Sequence, residues 1–231
     1  LEGLERRVGL LRGDLPALVT VVEEGVEFAV DVLGGQKTGH FLDQLDNRVA
    51  ARGLCAGGRV LDAFAYTGGF GLHAAWAGAR EVVLVDDSEA ALALAAANAR
   101  RNGVAERVTT RRANAFDELR RLAAAGERFD AVILDPPAFA KSRSAREGAL
   151  RGYKEINLRA MKLLPPGGVL VTASCSSHVE EEEFVAVVHA AAADAGRLVR
   201  LLEKRGAGRD HPVLLGAPET RYLKCLICEV V

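Results

Sequence analysis

The chain has 231 residues, 49% apolar and 26% charged, which suits one folded domain with a sizeable core. Thirty basic against 31 acidic residues leave a net charge of −1, which excludes a protein that grips a polyanion with its whole surface and allows only a local basic patch. No apolar run approaches the length of a bilayer span and nothing near Leu1 has the phases of a signal peptide, so no membrane association and a cytoplasmic setting are expected.

Residues 18–31 hold two short β-type runs around Glu24-Gly25, the pattern of a hairpin, and residues 41–53 fit a helix that stops at glycine. Together residues 1–53 read as an N-terminal extension, and the main domain is expected over 54–231. Strand-like runs at 59–64, 81–86, 108–112, 129–134 and 168–173 are each followed by a helical stretch, centred on 72–77, 88–102, 116–125, 149–164 and 180–195. Such alternation is the sequence form of a parallel sheet wrapped by helices. Ser88 is the N-cap of the clearest helix and Asn102-Gly103 its stop, and the acidic run 180–183 suits the positive end of the last helix without any ligand.

Two further β-type runs, 198–202 and 222–230, have no helix between them and are expected to pair antiparallel at the sheet edge. The predicted architecture is therefore α/β: a Rossmann-like, seven-stranded, mostly parallel sheet with an antiparallel C-terminal hairpin, plus the short N-terminal hairpin. That is the plan of class I methyltransferases. Cysteines stand at 55, 175, 225 and 228. Cys225 and Cys228 have CxxC spacing inside an apolar run, where residues three apart on a strand face opposite ways, and no second ligand pair exists; no metal is expected.

In an open parallel sheet, ligands collect beyond the C-terminal strand ends. The loop after the first long strand contains Gly69-Phe-Gly-Leu-His-Ala74, a G-x-G-x-x-A match, and Asp86 ends the next strand, so a nicotinamide-dependent oxidoreductase has to be weighed. Its first glycine comes too late, however, with Phe-Ala-Tyr-Thr-Gly between the strand end and Gly69, and an acid, Asp62, stands where a pyrophosphate would lie. A carboxylate suits instead the cationic amino-acid end of S-adenosylmethionine, which carries an ammonium and a sulfonium and no phosphate. Asp86 can accept from ribose hydroxyls and Asn114 from the adenine amino group. Cofactor contacts are expected from Asp62, Phe64, Tyr66, Thr67, Gly68, Gly69, Asp86, Ser88, Asn114, Ala115 and Asp135.

After the fourth strand, Asp135-Pro136-Pro137 is a stiff loop that can hold a planar nitrogen-containing ring, with Phe139 following. The fifth strand runs into Ser174-Cys175-Ser176 on the same rim. Methyl transfer to oxygen or an exocyclic nitrogen has no need of a thiol, whereas carbon 5 of a pyrimidine has. A thiolate adding at carbon 6 makes carbon 5 nucleophilic, and loss of the carbon 5 proton then expels the thiolate. Cys175 is the candidate nucleophile and Asp135 the candidate partner of ring nitrogen 3; no residue is singled out as base, and His178 reads as a solvated loop histidine. Substrate contacts are expected from Pro136, Pro137, Phe139, Lys141, Arg143 and Ser174; Lys141 and Arg143 belong to a segment, 141–154, whose five basic residues against one acid form the chain's basic patch.

Taken together, residues 35–48 (GQKTGHFLDQLDNR), 61–70 (LDAFAYTGGF), Asp135-Pro-Pro-Ala-Phe139, Ser174-Cys-Ser176 and Asp210-His-Pro212 resemble the bacterial 23S ribosomal RNA cytosine-5 methyltransferase family over roughly residues 15–231. The resemblance implies S-adenosylmethionine as cofactor, 23S ribosomal RNA or the large ribosomal subunit as partner, and Cys175 as nucleophile. It also places Lys37, Thr38 and Gln44 at the lid or floor of the cofactor pocket, and it leaves a homodimer open. Two departures stand out. Family members carry an N-terminal PUA RNA-binding domain to which nothing here corresponds, and a chain that begins at Leu1 reads as a segment of a longer one; the family's third-strand acid is Asn114 here. A related guanine-N7 branch shares Lys-Thr-Gly and Asp-Pro-Pro, and Ser-Cys-Ser favours cytosine over it.

Overall fold

The computed structural model describes residues 8–140 and 142–231. Its centre is a seven-stranded sheet in the order β5-β4-β3-β6-β7-β9-β8, made of β3 (Arg59–Ala63), β4 (Glu81–Asp86), β5 (Val108–Arg112), β6 (Ala131–Leu134), β7 (Val169–Ser174), β8 (Val199–Arg205) and β9 (Lys224–Val230). The first five of these pair in parallel. β9 inserts antiparallel between β7 and β8, so the expected C-terminal hairpin closes one edge, with a register shift at Leu201/Glu203. Because the chain enters at β3 and then winds outward in both directions, the strand order reverses between β3 and β6, and a crevice opens above their C-terminal ends.

Each central strand is apolar on both faces, as a sheet covered by helices requires. Leu61, Val83, Val85 and Leu170 face a layer with Leu119, Tyr153, Ile156 and Phe184, supplied by α4 (Ala115–Ala124), α5 (Arg146–Leu163) and α6 (Glu181–Asp194). Val60, Leu84, Ile133 and Val171 face the opposite layer, with Leu72 and Ala95 of α2 (Gly69–Trp76) and α3 (Glu89–Arg101). Cys228 belongs to the first layer and Cys225 to the second, the outcome expected of residues three apart on a buried strand.

The N-terminal hairpin, β1 (Val19–Glu23) and β2 (Val26–Val30), forms as expected, and its buried face, Val26, Phe28 and Val30, joins the second apolar layer. Asn98 of α3 binds it by accepting from Ala29 N at 2.8 Å. α1 (Leu45–Arg52) ends before Gly53, and a 3-10 turn, Leu42–Gln44, precedes it. These elements seat the segment between β2 and α1 directly over the crevice.

Local signals account for the helix starts. Ser88 caps α3 by accepting from Ala91 N at 3.2 Å, and Glu180 and Glu183 form a reciprocal capping box on α6, so that acidic run is used within the helix. α2 begins at Gly69, three residues before the predicted stretch, because Gly68 takes φ +89 and turns the chain straight into the helix. Among the described residues, no helix is long and apolar enough to cross a membrane.

Candidate active site

A cavity of about 280 Å³ lies above the C-terminal ends of β3, β4, β6 and β7. Fifteen of the residues expected from the sequence line it: Lys37, Gln44, Asp62, Phe64, Tyr66, Thr67, Gly69, Asp86, Asn114, Ala115, Asp135, Pro136, Pro137, Phe139 and Cys175. Its backbone is strained where it matters. Of the four described non-glycine residues at positive φ, Lys37 (+51), Phe64 (+71) and Tyr66 (+49) all line this wall, and only Glu24 sits elsewhere, in the β1–β2 turn. For bulky side chains such angles persist only where the surroundings over-determine them. Here Tyr66 is pinned twice, its N–H donating to Asp86 Oδ2 at 2.8 Å and its hydroxyl accepting from Gln36 N at 2.9 Å. The second bond ties the segment over the crevice to the glycine loop.

Asp62 ends its strand inside the protein, 1% exposed, with one oxygen accepting from Gly71 N at 2.8 Å. Burial pushes its carboxyl up to about 8 against the pull of the Gly71 amide, and the charges of Asp135 and Asp86 add to the push. The Arg48 charge also opposes the push, but among the described residues no Lys, Arg or His pairs with Asp62 within 4 Å, and the cavity offers space for a closer cation. Gly71 must be glycine for this contact, since a Cβ would stand 2.2 Å from Leu84 Cδ2. Asp86 holds its carboxylate rigid with Tyr66 N on one oxygen and Ser88 N at 2.9 Å on the other, leaving a further lone pair on each for a hydroxyl. Phe64 and Phe116 meet edge to face, 6.1 Å between centroids, beside Asn114.

Asn114 does not play the part expected of its side-chain oxygen. That oxygen caps α4, accepting from Phe116 N at 3.0 Å and Asp117 N at 3.4 Å, which occupies both lone pairs and leaves only the carboxamide N–H groups for a ligand.

On the far wall, Asp135 accepts from Gln44 Nε2 at 2.8 Å, and burial raises its carboxyl to about 6, opposed chiefly by the Arg48 charge. Cys175 stands at the end of β7 with Sγ 3.8 Å from the carbonyl of Pro136, so the thiol and the Asp-Pro-Pro loop are in contact. Burial, followed by the charge of Asp135, raises the thiol above its ordinary range, and Lys37 draws it down. Lys37 Nζ lies 3.4 Å from Asp43 Oδ2 and 4.7 Å from the centre of the Phe41 ring.

Other expected residues lie elsewhere. Thr38 donates to the carbonyl of His40 at 3.1 Å, Gly68 shapes the turn, Ser88 caps α3, and Ser174 is fully buried in β7; none lines the cavity. Arg143 is exposed in a 3-10 turn away from the cavity wall, and Lys141 lies outside the described residues. Three of the four described basic residues of the patch meet acids: Arg146 pairs with Glu183, Lys154 with Asp194 at 2.8 Å, and Arg151 with Glu147 at 3.9 Å. Its like charges are adjacent in sequence, but the acids that meet two of them come from α6, which no local pattern reveals. His178 does not line this cavity.

The fold also recruits residues not picked out as site residues from sequence: Gln36, His40, Phe41, Asp43, Arg48, Asp87, Phe116 and Leu223. Asp87 and Phe116 directly follow expected residues, so a wider window at each strand end would have found them. Arg48 gave a weaker signal. It is 3% exposed and donates to both oxygens of buried Glu23 at 2.9 and 2.7 Å and to the carbonyl of Phe41, with His40 and His73 against the same carboxylate. Its guanidinium packs so closely on Gly69 that a Cβ there would meet Nε at 2.7 Å.

These groups fit S-adenosylmethionine: a buried carboxyl with no paired cation for the ammonium, a rigid carboxylate for the ribose, and aromatic rings for the adenine. Among the described residues, no group of three or more His, Cys, Asp or Glu side chains is disposed to hold a metal ion.

A family profile described as S-adenosylmethionine-dependent methyltransferase matches residues 8–213. Ribosomal RNA large subunit methyltransferase I of Aeromonas salmonicida is 46% identical over 228 residues, covering 98% of this chain and 58% of that protein. The chain thus spans less than two thirds of the length of this curated relative. A methyltransferase solved in complex with SAH superimposes with a TM-score of 0.82 at 23% identity, covering 96% of this chain and 58% of that one. A SAM-dependent methyltransferase structure from Streptococcus mutans gives 0.85 at 23% identity over 96% of this chain and 57% of that one. At such identities the two structures establish the class I methyltransferase fold.

Proposed function

We propose that this chain, which belongs to the S-adenosylmethionine-dependent methyltransferase family, methylates carbon 5 of a cytidine in 23S ribosomal RNA, free or within the large ribosomal subunit. S-adenosylmethionine is its cofactor and supplies the methyl group. The observation that carries the finer reading is the contact of the Cys175 thiol with the Asp135-Pro136-Pro137 loop on one wall of the cavity.

In this reading Asp62 holds the cofactor's ammonium, Asp86 the ribose hydroxyls, and Phe64 and Phe116 flank the adenine. Lys37 and Gln44, from the segment over the crevice, close that pocket. A cytosine ring enters against Pro136, Pro137 and Phe139. Asp135, a carboxyl raised to about 6 by burial, is partly protonated near neutral pH and donates to ring nitrogen 3. Cys175 forms a bond to carbon 6 as the carbon 5–carbon 6 electron pair moves toward carbon 5 and the Asp135-bound nitrogen. After carbon 5 is methylated, a base removes its proton and the carbon–sulfur bond breaks, returning the thiolate. Burying the thiol keeps water from competing at the adduct, at the cost of raising its pKa.

The relative's name supports the substrate class, a large-subunit ribosomal RNA. The test is transfer of labelled methyl groups to 23S ribosomal RNA that lacks the modification, with the site mapped by nuclease digestion and mass spectrometry. Wild type is expected to yield 5-methylcytidine and Cys175→Ala none, while both bind S-adenosylhomocysteine alike. Methylation of a guanine, or full activity of Cys175→Ala, overturns the cytosine-5 reading and leaves the family assignment intact.

A further inference from the structure

Loss of the carbon 5 proton takes a base. Among the described residues, five carboxyls line the cavity: Asp43, Asp62, Asp86, Asp87 and Asp135. Four of them have other stations in the proposed reaction. Asp62 takes the Gly71 amide and faces the ammonium, Asp86 and Asp87 stand at the ribose end beyond β4, and Asp135 meets ring nitrogen 3. His40, on the same wall, is spent on the buried Glu23 carboxylate at 2.9 Å. Asp43 remains. It is 4% exposed, in the 3-10 turn between β2 and α1, and its Oδ2 accepts from Tyr222 Oη at 2.6 Å and from Lys37 Nζ at 3.4 Å. Both bonds fall on one oxygen, and Oδ1 accepts from no described residue. A carboxylate gripped by one oxygen with the other bare toward a cavity is the arrangement of an oriented general base.

Contacts on two sides fix where Asp43 stands. Gln44, the next residue, donates to Asp135 Oδ1 at 2.8 Å, which ties the turn to the Asp-Pro-Pro loop. Tyr222 precedes by two residues the start of β9, where Lys224 pairs with Ser174 at the end of β7, so the phenol that grips Asp43 comes from the strand beside the one that runs into Cys175. The carbonyl of Asp43 also accepts from Gly208 N at 2.9 Å, in the same β8–β9 connection. Asp43 is thus bracketed by the loop expected to hold the ring and by the strand pair that carries the thiol. Burial, then the bond to Asp43, raises the Tyr222 phenol above its ordinary range, so it keeps its proton and serves as a donor.

We propose, on the reading of Cys175 as nucleophile, that Asp43 is the base that takes the carbon 5 proton and so releases the methylated ring, with Tyr222 as its positioning residue. When sulfur and methyl add to opposite faces of the ring, the proton left on carbon 5 lies on the face of the sulfur. The base then has to stand on the Cys175 side, which is the side from which Tyr222 holds Asp43. Asp43 Oδ1 forms the new oxygen–hydrogen bond, and the pair of the carbon 5–hydrogen bond closes the carbon 5–carbon 6 double bond. The carbon 6–sulfur bond breaks and its pair returns to Cys175 as thiolate. Ring nitrogen 3 gives its proton back to Asp135, and Asp43 passes its own to solvent.

The test is a single turnover of labelled S-adenosylmethionine with unmodified 23S ribosomal RNA, run on a denaturing gel that separates free RNA from RNA bonded to protein. Asp43→Asn keeps an acceptor for Tyr222 and Lys37 and lacks a basic oxygen. It is expected to bind S-adenosylhomocysteine as wild type does, to accumulate a labelled, methylated RNA adduct on Cys175, and to release product at least about 100-fold more slowly. RNA carrying 5-fluorocytidine, which has no carbon 5 proton to lose, should trap wild type and Asp43→Asn equally. Release at the wild-type rate by Asp43→Asn overturns the assignment, as does a variant that binds S-adenosylhomocysteine normally and forms no adduct on either RNA, because Asp43 then acts before the adduct. If Asp43→Asn fails to fold, Tyr222→Phe decides: it leaves the carboxylate without its phenol and is expected to slow breakdown of the adduct about tenfold, and unchanged breakdown overturns the assignment. A wild type that makes no 5-methylcytidine, or a Cys175→Ala protein that remains active, sinks the cytosine-5 reading and the base with it. Normal release by Asp43→Asn in an enzyme that does make 5-methylcytidine through Cys175 sinks the base alone.

Discussion

With Asp62 as the proposed partner of the cofactor's ammonium, stability and cofactor binding pull against each other at this residue. Its carboxyl is 1% exposed and raised from 3.8 to about 8, so between those values the folded protein keeps a proton that the unfolded chain has lost. The folded state therefore binds more protons in that window, and the stability contributed by neutral Asp62 falls as pH rises from about 4 to 8. At pH 7 the roughly 3.2 units above the unfolded value, at about 1.36 kcal/mol each, amount to about 4 kcal/mol of stability forgone. Asp62→Asn keeps an acceptor for the Gly71 amide and removes the titration. Part of the gain is taken back by burying the new carboxamide, which leaves the free protein about 2 kcal/mol more stable at pH 7.5. Urea unfolding of both proteins across pH 4 to 8 measures this, and the advantage of Asp62→Asn is expected to grow with pH. The same variant is expected to lose at least about 100-fold in S-adenosylhomocysteine affinity, because a charged partner of the ammonium is worth roughly 3 kcal/mol. A free Asp62→Asn protein less stable than wild type, or stability curves that run parallel over that range, refutes the reasoning.

Other substitutions probe the frame around the cavity. Gly71→Ala puts a Cβ 2.2 Å from Leu84 Cδ2, and overpacking there is expected to cost about 2 kcal/mol or more, visible as a lower midpoint in thermal unfolding. Asn114→Ala removes the cap of α4 and is expected to cost about 1 kcal/mol by the same measurement, with only a small change in cofactor affinity. Glu23→Gln leaves Arg48 buried without its carboxylate and is expected to destabilise by about 3 to 5 kcal/mol in urea. Glu23 is held well below the usual carboxylate range by its bonds to His40 and His73 and by the Arg48 charge, against the cost of burial, so its contribution is complete above pH 5. It is lost only as the solution becomes strongly acidic, and the stability difference between wild type and Glu23→Gln should shrink there.

Much of this protein is set by short-range pattern. Alternating apolar strands and capped helices specify a parallel sheet, because period and turn chemistry are local properties, and each of the predicted strands and helices is present within a few residues of its expected bounds. The acids at strand ends, Asp62, Asp86 and Asp135, are legible for the same reason: in this topology the strand ends converge on one rim. What the residues in order do not disclose is which partners each side chain meets across the sheet. Asn114 is spent on its own helix, the basic run 141–154 is met by acids of α6, and Arg48 and Glu23 are 25 residues apart yet bonded in the interior. Lys224 lies 48 residues beyond Ser176, and only the antiparallel pairing of β9 with β7 carries its ammonium to the carbonyl of that residue. Charge and burial at the site are sums over such long-range neighbours, so the candidates for the reacting groups can be read along the chain, while their protonation is decided by the fold.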